Sequence, residues 1–415
     1  MRSLQTIPYK RRLVLAACLL GLVSGLAGIL LHYLLELVEG LAFGRSEHQF
    51  GFLTDGVPPS RIWTSLFLVG ASSALVWYLL QRKGNILSIK GQMKEEPSRP
   101  RLHFWEQMLH STWQIIAVGA GAPVGKEGAP REIGSLLAPP LGRVLDLSFQ
   151  DRIFLIACGA GAGLAAVYQV PLTSVFFIFE TFGLAFSMKR FVLAGITTYV
   201  AAYTAGWVIS DRALYQVSEI TWSPTVLWQM VIFIALLTPV AWHFARFTKK
   251  ASIYRIKDKR ILITLPLAFV FLAGLASFQP HLLGNGRMMA QEILNGGTWQ
   301  TIFLLLTLKA LVVLLTFWAG AYGGTLTPSF ALGMAGAALI SLVLGVGNTP
   351  AFFLLGSVIF LTVTLKAPLS ATGLVLGFTG QGLTALPYLL LTAFLTVGFS
   401  KGLDHLMGKK SRSLQ

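Results

Sequence analysis

The chain is patterned in blocks. Fourteen apolar stretches, at about 13–38, 63–81, 104–120, 132–147, 152–168, 171–185, 189–209, 226–245, 261–276, 299–319, 325–343, 348–365, 368–382 and 385–401, alternate with short polar or basic connectors. Apolar residues dominate the stretches, and so many such runs predict helices of the kind a bilayer accepts. Several are shorter than the roughly 20 residues a helix needs to cross a hydrocarbon layer. Prolines begin, end or interrupt many of them: Pro130, Pro140, Pro171, Pro328, Pro350, Pro368 and Pro387. Short, interrupted apolar segments predict discontinuous helices that meet around a site near the membrane midplane.

The pattern repeats. Val167-Tyr-Gln-Val-Pro171-Leu-Thr-Ser174 resembles Thr364-Leu-Lys-Ala-Pro368-Leu-Ser-Ala371, with the prolines 197 residues apart. Glu127-Gly-Ala-Pro130 and Thr325-Leu-Thr-Pro328 are offset by 198. Two matches at nearly one offset predict a single transmembrane domain over 1–415, built from related halves at 13–209 and 226–401. Residues 210–225 are the linker between halves, and no appended soluble domain is expected. Gly91–Arg101 reads as a polar linker and Gly284-Asn-Gly286 as a tight-turned loop.

Composition sharpens the membrane reading. Hydrophobic residues make up 54% and charged residues 12%, about half the charged share of a soluble domain. Ala310 to Leu365 contains no Asp, Glu, Lys or Arg. The net charge of +16 comes from residues such as Lys10, Arg11, Arg12, Arg82, Lys83, Lys249, Lys250, Lys409 and Lys410 at span ends and termini. That distribution fits the positive-inside bias rather than a nucleic-acid surface, and it puts both termini in the cytoplasm. Cys18 and Cys158 fall in apolar runs, and the seven histidines show no ligand spacing. No metal site, cofactor, nucleotide loop or enzymatic constellation is expected.

One acid stands out. Glu127 lies in Gly121-Ala-Pro-Val-Gly-Lys-Glu-Gly-Ala-Pro130, between apolar regions. An ionisable group at membrane depth marks function unless it is paired, here with Lys126 or Arg131. The flanking glycines and prolines break the helix, and broken backbone at that depth must be buried in protein or line an aqueous cavity. Gly128-Ala-Pro130 and Thr325-Leu-Thr-Pro328 each fit a helix start, whose free amides and positive dipole end suit an anion. The Glu127 carboxylate would compete with the anion for such amides, and protonation would weaken its hold. Glu132, beside Arg131, reads as a local ion pair; Lys366, before Pro368, as a cation neutralising a buried acid or carbonyl cluster; Glu180 as a cap or partner near the inner end of its helix.

Gly125-Lys-Glu-Gly-Ala-Pro130, Gly161-Ala-Gly-Leu-Ala-Ala166 with Pro171-Leu172 and Glu180, and Gly323-Gly-Thr-Leu-Thr-Pro328 together resemble the CLC chloride channels and proton-coupled chloride transporters, over about residues 20 to 400. The resemblance implies an all-α polytopic fold with two inverted-topology halves of tilted and broken helices, and a homodimer with one pore per subunit. It implies Glu127 as the gating glutamate, with Lys126 in place of the usual arginine. It implies an anion bound by Lys126, Gly128, Thr325 and Leu326, and by Gly84, Asn85 and Ile86 from an eroded first motif. Gly84 then stands where the family has an ion-contacting serine. Asn85 either donates to the ion or caps the next helix. The family's inner proton-transfer glutamate aligns with Thr181, directly after Glu180, and the pore tyrosine of the last helix has no match near Phe399–Leu403.

These residues lead to an expectation of inorganic anion transport, with chloride favoured, channel-like or weakly proton-coupled. The alternatives are a chloride/proton antiporter, a fluoride/proton antiporter and a non-conducting membrane scaffold. An organic-anion carrier would call for a roomier pore with an arginine clamp. Chloride, protons, the lipid bilayer and a second copy of the chain are the expected partners.

Overall fold

The computed structural model describes residues 7–46, 53–82, 86–95, 104–209, 213–218, 220, 222–346 and 349–412. They form helices throughout, with a single isolated bridge as the only β pairing among them. The order is α1 Tyr9–Phe43, α2 Pro59–Arg82, α3 Ile89–Glu95, α4 Phe104–Gly119, α5 Gly128–Val144, α6 Phe149–Tyr168, α7 Pro171–Phe182 and α8 Met188–Ala205. Then come α9 Thr225–Ile253, α10 Ile261–Ala276, α11 Arg287–Leu294, α12 Trp299–Ala319, α13 Leu326–Leu344, α14 Thr349–Leu365, α15 Pro368–Thr379 and α16 Leu386–Arg412. Among the described residues seven helices are long and apolar enough to cross a membrane: α1, α2, α6, α9, α12, α13 and α16. The protein is a multi-pass integral membrane protein. On α1, Leu26, Leu30, Tyr33, Leu37 and Leu41 recur every three or four residues and are all exposed, the stripe a lipid-facing helix presents.

Elements recur along the chain with near-identical ends. α7 and α15 each have 12 residues, each carry proline at the first helical position, and each close on a left-handed glycine, Gly183 or Gly380. Proline costs nothing there because its missing N–H would be unbonded anyway, and glycine meets no Cβ penalty at positive φ. The residue two before each proline, Gln169 or Lys366, is also left-handed, at φ 54° and 56°. That conformation is uncommon for a side-chain-bearing residue, and here it turns the chain sharply between paired helices.

Glycines set how closely the helices approach. A Cβ on Gly134 of α5 would lie 2.1 Å from the carbonyl oxygen of Gly159 on α6. On α13 and α14, a Cβ on Gly333 would lie 2.3 Å from the oxygen of Gly356. Backbone therefore packs on backbone at matching places in both helix pairs.

Two expectations are corrected here, and the Gly284–Gly286 turn is found as expected. Part of the stretch read as a polar linker is α3, and a helix, α11, follows the Gly284–Gly286 turn. Lys366 is exposed, so it neutralises nothing buried. That work falls to Lys309 of α12, wholly buried, whose Nζ donates to the carbonyls of Leu282 at 2.7 Å and Gly284 at 2.6 Å.

Candidate anion site at two opposed helix starts

The chain leaves α4 at Gly119 and α12 at Ala319, and each exit is followed by a glycine at positive φ, Gly121 at 106° and Gly320 at 130°. The two connections then meet. Gly125 and Gly324 exchange both backbone N–H···O bonds at 2.8 Å. From that bridge α5 and α13 begin three and two residues later, so two helix N-termini converge on one point. Each brings unbonded amides and the positive end of its dipole.

Glu127, the residue before α5, is completely buried. Its carboxylate does not cap its own helix. It crosses to the start of α13, where Oε1 accepts from the Leu326 amide at 2.6 Å and Oε2 lies 3.4 Å from the Thr327 hydroxyl. The bridge glycines make the space: a Cβ on Gly324 would lie 1.9 Å from Glu127 Oε1, and one on Gly125 2.1 Å from Oε2. Only glycine leaves room for the carboxylate at both positions. The local-pair reading of Glu127 does not fit this geometry. Arg131 instead donates to the Glu127 backbone carbonyl at 2.7 Å and stacks over the Phe177 ring.

Of the residues expected at the anion, the structure gathers Glu127, Gly128, Leu326 and Thr325 at this junction. Lys126 is buried in the same loop, within electrostatic reach of His32 on α1. Gly84 and Asn85 lie outside the described residues. Ile86 packs against the main apolar core, and the next residue, Leu87, is tied to α4 through both amide atoms of Gln107. Sequence reading missed Thr327 as a side-chain ligand, although it stands inside the second motif.

Glu180 and Thr181 are elsewhere, at the end of α7. Glu180 Oε1 accepts from the Leu369 amide at 2.9 Å, and Oε2 accepts from the Ser370 amide at 2.8 Å and from its hydroxyl. It caps the start of α15. Among the described residues the buried Thr181 hydroxyl has no hydrogen-bond partner.

Glu132 departs from its expected pairing with Arg131. Adjacent residues on a helix point in different directions, and the Glu132 side chain turns to α4. Its Oε2 accepts from Ser111 at 2.9 Å and Gln114 at 2.8 Å, with His110 Nε2 at 3.6 Å. Nothing in the local sequence shows this, because the partners come from another helix.

Two opposed helix starts holding a buried carboxylate, in a membrane protein of short broken helices, are the features of an anion conduit. Residues 66–401 match the model of the voltage gated chloride channel family, and the chain belongs to that family. It is 26% identical to the H(+)/Cl(-) exchange transporter ClcA of Vibrio cholerae, over 92% of this chain and 85% of that protein. Among solved structures it resembles a slow cyanobacterial Cl-/H+ antiporter, with a TM-score of 0.80 at 20% identity over 94% of this chain and 95% of the other. A CLC-type fluoride/proton antiporter matches with a TM-score of 0.72 at 17% identity, over 94% and 95%. The fold is the CLC fold.

Proposed function

We propose that this protein exchanges chloride for protons across a bacterial inner membrane, with Glu127 as both gate and proton carrier. The observation that carries this reading is the Glu127 carboxylate, wholly buried and bonded to the first amide of α13. A carboxylate in that position occupies the place an anion would take. An anion enters when the carboxylate leaves, and the carboxylate leaves most easily when a proton cancels its charge. Anion entry and proton uptake are thereby linked at one group.

Exchange, an alternative from the sequence alone, is better supported than channel-like movement. The relative from Vibrio cholerae bears an exchanger's name, and the match covers 92% of this chain and 85% of that protein. Thr181, which motivated the uncoupled reading, removes one acid from the inner half but leaves the Glu127 linkage untouched. Lys126, Gly128, Thr325 and Leu326 form the anion's surroundings in this proposal, and Gly84, Asn85 and Ile86 belong to its inner end. The working unit is a homodimer of two independent pores, each subunit made of the halves 13–209 and 226–401 in inverted topology, with both termini cytoplasmic.

The test is Glu127→Gln in liposomes. The neutral amide stands in for the protonated acid, so chloride efflux becomes independent of pH and proton movement stops. Wild-type flux rises on acidification. A variant with wild-type pH response contradicts the gate assignment, and absence of chloride flux in both wild type and variant favours the scaffold.

A further inference from the structure

Residues 246–260, which end α9 and lead into α10, carry seven Lys or Arg and one acid, Asp258. Arg246, Lys249, Lys250, Lys257, Lys259 and Arg260 are all exposed. Two of these have company within the protein. Arg260 pairs with Asp258, Nη2 to Oδ2 at 2.8 Å, and Arg246 stacks over the Trp242 ring, 4.2 Å from its centroid. The other four, Lys249, Lys250, Lys257 and Lys259, present their charge to the surroundings. Like charges gathered in one short segment repel one another, so the folded chain gains nothing from the cluster by itself.

The segment belongs at the membrane surface. α9 is long and apolar enough to cross the bilayer, and α10 is an apolar helix of 16 residues. A polar stretch between two such helices comes to rest at the headgroup level. α9 and α16 run side by side in the same direction. Thr392 bonds the Met230 sulfur at 2.9 Å and, twelve residues on along both helices, Asp404 accepts from the Trp242 indole at 2.9 Å. The end of α9 therefore shares a face with the end of α16. Large apolar side chains stand exposed among the lysines: Phe247 at 51%, Ile253 at 60% and Tyr254 at 71%. Apolar and aromatic groups interleaved with cations suit a layer that is apolar on one side and anionic on the other.

The array is held in place. The Ile256 amide donates to the Trp318 carbonyl at 3.0 Å, and the Thr264 hydroxyl donates to that of Ala319 at 2.9 Å. Ile256 and Ile261 are buried. Arg255 turns inward and lies 3.8 Å from the ring centroid of Tyr322, in the α12–α13 connection. The lysines on either side of it are thus carried by backbone anchored to the exit of α12. A preorganised surface loses little conformational freedom when a ligand binds.

We propose that the α9–α10 connection is a docking surface for anionic phospholipid headgroups. Lys249, Lys250, Lys257 and Lys259 meet the phosphates, and Phe247, Ile253 and Tyr254 seat at the boundary with the acyl chains. Lysine binds phosphate as a point charge and needs no fixed geometry from the headgroup. A zwitterionic lipid brings its own cation and is attracted less. Free phosphate lacks the acyl chains that the apolar side chains engage. The inference stands apart from the exchange reading, since it concerns the lipid and not the transported ions.

The experiment uses the full chain in neutral detergent micelles, with the thermal midpoint read after adding phosphatidylglycerol, phosphatidylcholine or inorganic phosphate at equal concentration. A ligand that binds the folded state raises the midpoint, here by at least about 3 °C with phosphatidylglycerol and by less than about 1 °C with the other two. The combined variant Lys249→Gln, Lys250→Gln, Lys257→Gln, Lys259→Gln is expected to lose the rise. The same four positions changed to Arg keep it. A control with four exposed cations removed elsewhere, Lys10→Gln, Arg11→Gln, Lys189→Gln and Lys366→Gln, also keeps it. Equal rises with phosphatidylcholine or with phosphate overturn the inference, as does the lack of any rise in the wild type. So does a rise that survives in the first variant, or one that is lost equally in the control, which would mean diffuse attraction to the net charge of the whole protein.

Discussion

Two glutamates of the first half each reach across to the N-terminus of a helix in the second, and they do so in different ways. Glu180 is held by three donors at the start of α15. Glu127 has one short bond to the start of α13 and one contact at 3.4 Å, near the limit of a hydrogen bond. A hydrogen bond to a charged group contributes about 1.5–3 kcal/mol. Glu180 is thus anchored several times over, while Glu127 is held by little more than one such bond. If Glu127 is the proposed gate, the comparison teaches that the number of donors a carboxylate would abandon on leaving separates a gate from a cap.

Substitutions can break or sharpen this contrast. The largest effect is expected from Glu127→Gln, which abolishes the pH dependence of chloride flux and the accompanying proton movement. The sign follows from competition: in the wild type, falling pH protonates the carboxylate, weakens its hold on the Leu326 amide and raises flux. Stopped proton movement is read with a pH electrode, and retained pH dependence would remove Glu127 from the gate.

Gly324→Ala comes next. The new Cβ would overlap the position of Glu127 Oε1, and an anion sharing that place is excluded with it. Overpacking of this kind costs about 1–3 kcal/mol, so chloride efflux is expected to fall about tenfold across the pH range while the protein remains folded. Efflux equal to wild type would show that the carboxylate and the anion do not share this space.

Glu180→Gln gives the opposite signature. It lowers stability by about 1–3 kcal/mol through the weakened α15 cap, measured as a lower thermal midpoint in detergent, and leaves the pH response of flux intact. A changed pH response would erase the distinction between the two acids. Thr327→Val is the smallest change. It removes only the long contact, so the pH of half-maximal flux moves by less than about 0.4 units, equivalent to roughly 0.5 kcal/mol. A larger shift would mean that the hydroxyl bonds the carboxylate more tightly than its 3.4 Å distance implies.

How much of this was legible beforehand depends on how local each signal is. Glu127, its glycines and the Thr325–Pro328 start were visible because the chemistry sits in a few consecutive residues whose types have few other uses at membrane depth. The correspondence of α7 with α15 was visible for the same reason, through Pro171 and Pro368. α3 and α11 were not visible: they are short and carry polar residues such as Lys90, Gln92, Gln291 and Glu292, so they lack the apolar signal that marks a span. Glu132 was assigned to its sequence neighbour, although its partners stand on α4, and only tertiary packing reveals that. Lys366 and Lys309 show the same limit. Lys309 sits inside a long apolar run and Lys366 beside one, and the left-handed turn that carries Lys366 outward is a backbone feature without a sequence mark.

The central claim is that anion movement through this protein is tied to protons at Glu127. The most direct test is the reversal potential of the wild-type protein in a planar bilayer, with chloride equal on both sides and only pH varied. Coupled exchange predicts a reversal potential that moves away from the chloride equilibrium potential, in the sense set by the proton gradient, and a Glu127→Gln variant in which that movement disappears. A wild-type reversal potential that stays at the chloride equilibrium value whatever the pH difference would contradict the account.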